Sequence, residues 1–207
     1  MNPALVTAPA VEPLTLVEAK EHLKIDHTDE DTYISSLIAS ARVFCERYTK
    51  LALDEQTLKW TLQSWLGDNE PASYGLESIP ALRSGEKFIE VPVGPLSSVT
   101  SITTYDDDDN ATVWNAANYY VASAHNRIYR RVGITWPKPG RAAEGIEIIY
   151  KAGFGANASD VPKSIRQGLL QLIAHLYEHR ENVTDVPLSL VPFSVTQSFD
   201  LYRKFSL

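Results

Sequence analysis

Ile146-Glu147-Ile148-Ile149-Tyr150-Lys151-Ala152-Gly153-Phe154-Gly155, followed by Asp160-Val161-Pro162, is the stretch whose reading decides this fold. The β-branched and aromatic run predicts a strand over 145–150. The two glycines predict a turn, one that lets Phe154 pack. Pro162 then sits where a helix starts, since its missing N–H needs no partner in the first turn. Ile165, Leu169, Leu172, Ile173 and Leu176 recur at helical spacing, so a helix of about five turns is expected over 162–182, with Arg180 on the same side at its end. Strand, turn and helix follow one another without a catalytic group among them.

Upstream, Thr15 and Glu18 have the spacing of a capping box, which predicts a helix over 15–25 carrying Leu16, Ala19 and Leu23 on one face. Asp29 is expected to cap a second helix over 29–49. Its stripe is Ile34, Leu37, Ile38, Ala41, Phe44, Cys45 and Tyr48, with Glu30 and Asp31 at its positive end. After Asp54 the period changes. Thr57, Leu58, Trp60, Leu62 and Trp65 mark a strand, and Gly67, Pro71, Gly75, Pro80 and Gly85 mark a loop. Short strands are then predicted at 87–91, 99–105, 112–114, 119–123 and 127–132. The class is α+β: a helical bundle of two N-terminal helices and one long C-terminal helix, with a small antiparallel β unit inserted at 55–152. Residues 14–182 read as a single domain, 1–13 as a flexible arm, and 183–207 as an extended docking tail.

The strand–turn–helix resembles the closing half of the tailed-phage head–tail connector (adaptor, head-completion) family, which ends on a Y-x-A-G-[YF]-G…V-P-x-x-[IL] pattern. Leu14-Thr15-Leu16-Val17-Glu18-Ala19-Lys20-Glu21-His22-Leu23, followed by Asp29-Glu30-Asp31, is similar to that family's opening two helices. The resemblance implies a structural virion protein at the head–tail interface, made in the host cytoplasm, without enzymatic activity or cofactor. It implies a homo-oligomeric ring, typically of twelve, beneath the portal protein. Such a ring extends the DNA channel, passes genomic DNA without reading its sequence, and offers a platform to the next stopper, head-completion or tail protein. The family's tail carries a proline, an apolar pair and a final Tyr-Arg, and Pro192, Phe193, Phe199, Leu201, Tyr202 and Arg203 are the docking residues it implies here. Phe193-Ser194 and Ser198-Phe199-Asp200 depart from the more leucine-rich family tail.

Composition agrees with that class. The chain has 207 residues, 44% of them hydrophobic, enough for a substantial core, and a net charge of −7. That balance argues against a dedicated nucleic-acid binder. Past residue 160 four acids face five bases, so the C-terminal part is mildly basic. No apolar run approaches the roughly 20 residues of a membrane span, and no basic signal-peptide region opens the chain. Cys45 is the single cysteine. Its place in a helical apolar stripe predicts a buried, inert thiol.

Few constellations could carry chemistry. His175-Leu176-Tyr177-Glu178-His179 matches the H-x-x-E-H pattern of inverted zinc peptidases, which makes a small metal-dependent hydrolase the alternative reading. Both histidines, however, flank the Leu/Ile stripe, where packing accounts for them. Asp106-Asp107-Asp108-Asp109-Asn110 lacks the glycine and glutamate of a calcium loop, Ala111 and Ala117 standing in their places, and reads as a hairpin tip. Gly153-Phe154-Gly155 lacks the third glycine of a dinucleotide fingerprint. Arg127-Ile128-Tyr129-Arg130-Arg131 is the densest basic stretch. A strand there would put Ile128 on one face and Arg127, Tyr129 and Arg131 on the other, and Arg127, Arg130 and Arg131 are candidate contacts for DNA phosphate or an acidic partner.

Overall fold

A computed structural model describes residues 3–65, 87–179 and 193–203. The chain divides into two compact units, one formed by Met1–Ala8 and Gln56–Ala152, the other by Pro9–Glu55 and Gly153–Leu207. The class is α+β, as the sequence pattern predicts.

The first unit is built of β-strands: β1 (Ala4–Thr7), β2 (Gln56–Leu62), β3 (Phe88–Glu90), β4 (Leu96–Tyr105), β5 (Ala111–Val113), β6 (Tyr119–Ala122), β7 (Arg127–Arg130) and β8 (Ile146–Ala152). They form a five-stranded antiparallel sheet ordered β1-β2-β8-β4-β5 and a three-stranded one ordered β3-β7-β6. Period-2 burial explains the central strand. In β8, Ile146, Ile148, Tyr150 and Ala152 are fully buried while Glu147, Ile149 and Lys151 are half-covered. Opposite them, β2 turns Leu58 and Trp60 inward. The Asp106–Asn110 stretch joins β4 to β5 as the predicted hairpin tip.

Strand β1 corrects the reading of residues 1–13 as a flexible arm. Ala4, Leu5 and Thr7 pair with Lys59, Leu58 and Thr57 of β2. Its four side chains are all exposed. An edge strand held by backbone hydrogen bonds leaves no burial period in its sequence, so apolar patterning could not find it.

The second unit holds helices α1 (Leu16–Leu23), α2 (Asp31–Thr49), α3 (Lys163–Glu178) and α4 (Phe193–Asp200). The capping box forms as predicted, Glu18 N–H donating to Thr15 Oγ1 and Thr15 N–H to Glu18 Oε2. The expected cap of α2 does not: Glu30, not Asp29, holds that position, without a side-chain cap. Asp31 in the first turn accepts instead from Lys20 Nζ at 2.6 Å, tying α2 to α1. One apolar core gathers Leu14, Ala19, Ile34, Leu37, Ile38, Ala41, Cys45, Leu53, Val161, Ile165, Leu169, Leu172 and Ile173 with Val195 and Phe199 of α4. Cys45 is fully buried, and burial pushes its thiol pKa up to about 12, so it is inert as expected. Among the described residues no helix is long and apolar enough to cross a membrane.

Candidate interaction surfaces

The C-terminal segment is where structure departs most from expectation. Its residues were read as an extended tail without helical or strand period. Phe193–Asp200 instead forms α4, and Phe199 and Val195 are fully buried in the helical core. Phe199 therefore leaves the set of partner-facing residues. Gly168 of α3 makes room for it: a Cβ there would meet Phe199 Cε1 at 2.7 Å. Tyr202 is half-buried, its hydroxyl 2.9 Å from that of Ser164 and its ring edge-on to Phe154 at 6.5 Å. Phe154 is thereby the packed residue that the Gly153–Gly155 turn promised. Arg203 lies 4.8 Å above the Tyr48 ring, whose hydroxyl donates to Asp200 at 2.7 Å. The outward apolar side chains are Phe193 and Leu201, 78% and 79% exposed. Pro192 lies outside the described residues. A segment with only Val195 and Phe199 inward, at i and i+4, is one short helical stripe, too brief to be found by periodicity.

The arginines of β7 separate. Arg127 Nε donates to Glu90 at 3.2 Å and its guanidinium sits 4.2 Å over the Phe88 ring. Arg131, exposed, lies 6.0 Å from the centre of the Tyr120 ring. Arg130 points to the other side of the strand, where its Nη1 donates to the carbonyl of Ile134 at 2.7 Å. Strand alternation separates it from the other two, so Arg127, Arg130 and Arg131 do not form one basic patch. Arg131 opens a tight turn closed by Ile134 N–H donating to its carbonyl, with Gly133 at φ 81°.

His175 and His179 stack at 4.6 Å between ring centres near the end of α3, and His179 Nδ1 lies 2.9 Å from the His175 carbonyl. Burial, and then the neighbouring His179, hold the His175 imidazole below its ordinary pKa. Among the described residues no three His, Cys, Asp or Glu side chains gather as metal ligands. Glu178 closes the helix without completing such a set, and the hydrolase alternative gains no support.

Asp54 belongs to no pattern legible in the sequence. Its side chain is buried, 1% exposed, and neither carboxyl oxygen has a hydrogen-bond partner among the described residues. Burial, reinforced by Glu12 and Glu46, pushes its pKa up to about 7. Arg42 opposes this, but is itself bound to Glu12 at 2.7 Å and Glu46 at 3.0 Å. Gly153, at φ 144°, presses against the Asp54 backbone, where a Cβ would lie 2.6 Å from the Asp54 carbonyl carbon.

Residues 13–105 match the sequence model of the phage gp6-like head-tail connector protein family. No curated protein matches the chain. Solved structures do, at 23% identity, covering 100% of this chain and 97% of each counterpart. One is from the neck of an empty GTA particle computed with C6 symmetry, at a TM-score of 0.76. Another is from the virion of the native gene transfer agent (GTA) particle, at 0.77. A third is from the neck of the native particle computed with C12 symmetry, at 0.71. These likenesses show that the fold shared with those neck and virion chains extends over the whole length of this one.

Proposed function

We propose that this chain is a structural adaptor of a phage-like virion, one subunit of a ring that sits under the portal at the head–tail interface. The observation that carries the reading is the match to head–tail connectors over 13–105, joined to a full-length likeness to chains of a particle neck. The ring continues the DNA channel, docks the next head-completion or tail protein, and performs no chemistry. Its acidic balance suits a conduit, since a wall that bound phosphate tightly would hold the DNA it must release. Phe193, which opens α4, and Leu201 and Arg203, which follow it, are the exposed residues proposed to meet the portal or a neighbouring subunit. The Tyr48–Asp200 hydrogen bond anchors the Asp200 end.

The test is to tag the full-length chain in cells that produce the particle and count it in purified virions. About twelve copies per particle at the tail vertex, as in a C12 neck, are expected, and particles lacking the chain should remain tailless. A chain absent from purified particles, or particles that join tails without it, would overturn the adaptor reading.

A further inference from the structure

On the three-stranded sheet, Phe88, Tyr129 and Tyr120 stand in one cross-strand row, Phe88 opposite Tyr129 and Tyr129 opposite Tyr120. The ring centres are 5.2 Å apart in both pairs, and the two tyrosines are nearly parallel at 7°. Arg127 covers the Phe88 end and Arg131 the Tyr120 end. The opposite face of the sheet already supplies the core, through the buried Ile89 and Ile128. The aromatic row is thus held outward: Tyr120 is 47% exposed, and Val132, beside Arg131, is 97% exposed. Tyrosine and arginine side by side, rigid and half-desolvated, are the residues that dominate protein interfaces. Arg127 is matched by Glu90, whereas Arg131 has no ion-pair partner among the described residues.

The same unit carries a complementary feature. In the β4–β5 tip, Asp106 accepts from Asp108 N–H at 3.0 Å and from the backbone and side-chain nitrogens of Asn110 at 2.8 and 3.0 Å. Asp109, at φ 67°, is paired with Arg141. Gly140 N–H, donating to the Tyr105 carbonyl at 2.8 Å, holds the following loop against the hairpin. Two of the four aspartates therefore build the tip. The other two, Asp107 and Asp108, present exposed carboxylates that pair with nothing among the described residues. A tip that is already ordered loses little entropy on docking.

We propose that the Tyr120–Arg131 end of this platform receives the Asp107–Asp108 tip of a second copy of the chain. The proposal rests on the ring reading above and names its subunit contact. Two different, complementary patches on one chain make a head-to-tail contact, the kind that closes into rings. Charge selects the occupant: an unpaired guanidinium on one patch faces two unpaired carboxylates on the other, in a chain of net charge −7. Nucleic acid would have to approach that same acidic unit.

The experiment uses full-length Arg131→Glu and Asp107→Lys/Asp108→Lys chains, checked for wild-type melting and followed by sedimentation velocity over rising concentration. Each variant should self-associate at least about tenfold more weakly than wild type. Their mixture should regain association, with the two chains alternating, because the Asp tip of one meets Arg131 and the Lys tip of the other meets the Glu at position 131. The chain carrying all three changes should regain association through the reversed pair. Variants that associate like wild type, or a wild type that stays monomeric, would overturn the proposal. Loss of binding to a labelled oligonucleotide by Arg131→Glu, with self-association intact, would overturn it in favour of nucleic acid. Incorporation into particles is scored separately. Variants that enter particles at wild-type copy number sink the contact and leave the adaptor reading standing, whereas a wild type absent from particles sinks the adaptor reading alone.

Discussion

The helical unit spends its charges on itself, and the β unit spends its charges at its rim. In the helical unit, Lys20 binds Asp31 across α1 and α2, Arg42 is clamped by Glu12 and Glu46, and Arg166 joins Glu18 while donating to the Pro13 carbonyl. Tyr177 of α3 bonds Glu30 at the start of α2. Apart from Arg42–Glu46, which lies within α2, these contacts tie a helix to another helix or to the segment before α1. In the β unit the comparable groups lie on hairpin tips and strand faces, as in Arg141 with Asp109 and Arg127 with Glu90. Its exposed apolar side chains, Leu5, Val6, Val113, Tyr120 and Val132, lie on strands and turns at the sheet edges. Such an arrangement contributes little to stability, since exposed ion pairs are worth about 0–1 kcal/mol, but it leaves surface that a neighbour can use. One unit holds its own fold together, and the other is available for contact.

The sharpest way to break that comparison is at α4. If the C-terminal segment belongs to the helical core, Phe199→Ala should lower stability by about 3–5 kcal/mol, and Leu169→Ala by a similar amount. Deleting residues 193–207 should do the same. Urea midpoints are the measurement, and a Phe199→Ala chain that unfolds like wild type would return the segment to the status of a free arm.

The next effect is electrostatic. Asp54 ionises near 3.8 when exposed and at about 7 in the fold. Between those values the unfolded chain gives up this proton while the native carboxyl keeps it. This group therefore weakens the fold as pH rises from about 4 to 7, costing up to about 4 kcal/mol above that window and nothing below it. Asp54→Asn should raise the urea midpoint at pH 8, leave it nearly unchanged at pH 4, and flatten the slope between. A variant as pH-dependent as wild type would show that the buried carboxyl is paired in solution.

The smallest effects should mark the surface of the helical unit. Glu178→Ala and Leu201→Ser are each expected to shift stability by under about 1 kcal/mol. Glu178→Ala should also leave the protein's metal content unchanged. Loss of about one bound zinc per chain would revive the hydrolase alternative.

Legibility followed length and burial. Helices α1, α2 and α3 and strands β2 and β8 were readable because each repeats one burial period over several residues. The Asp106–Asn110 tip and the Gly153–Gly155 turn were readable from residues that favour turns. The two faces of β7 were readable as well, since Ile128 alternates with Arg127, Tyr129 and Arg131. Elements of four to eight residues that draw their order from a partner were not. Strand β1 exists because β2 offers it hydrogen bonds, and α4 because Gly168 leaves a gap that Phe199 fills.

By itself the sequence determined the class and the order of the long elements. These follow from local propensity and periodicity, which act over neighbouring residues. Only the tertiary structure decided that Phe199 faces inward, that Arg130 parts from Arg131, that Asp54 is buried, and that Phe88, Tyr129 and Tyr120 share a row. Each of these depends on which distant segment lies opposite, and no local pattern encodes that.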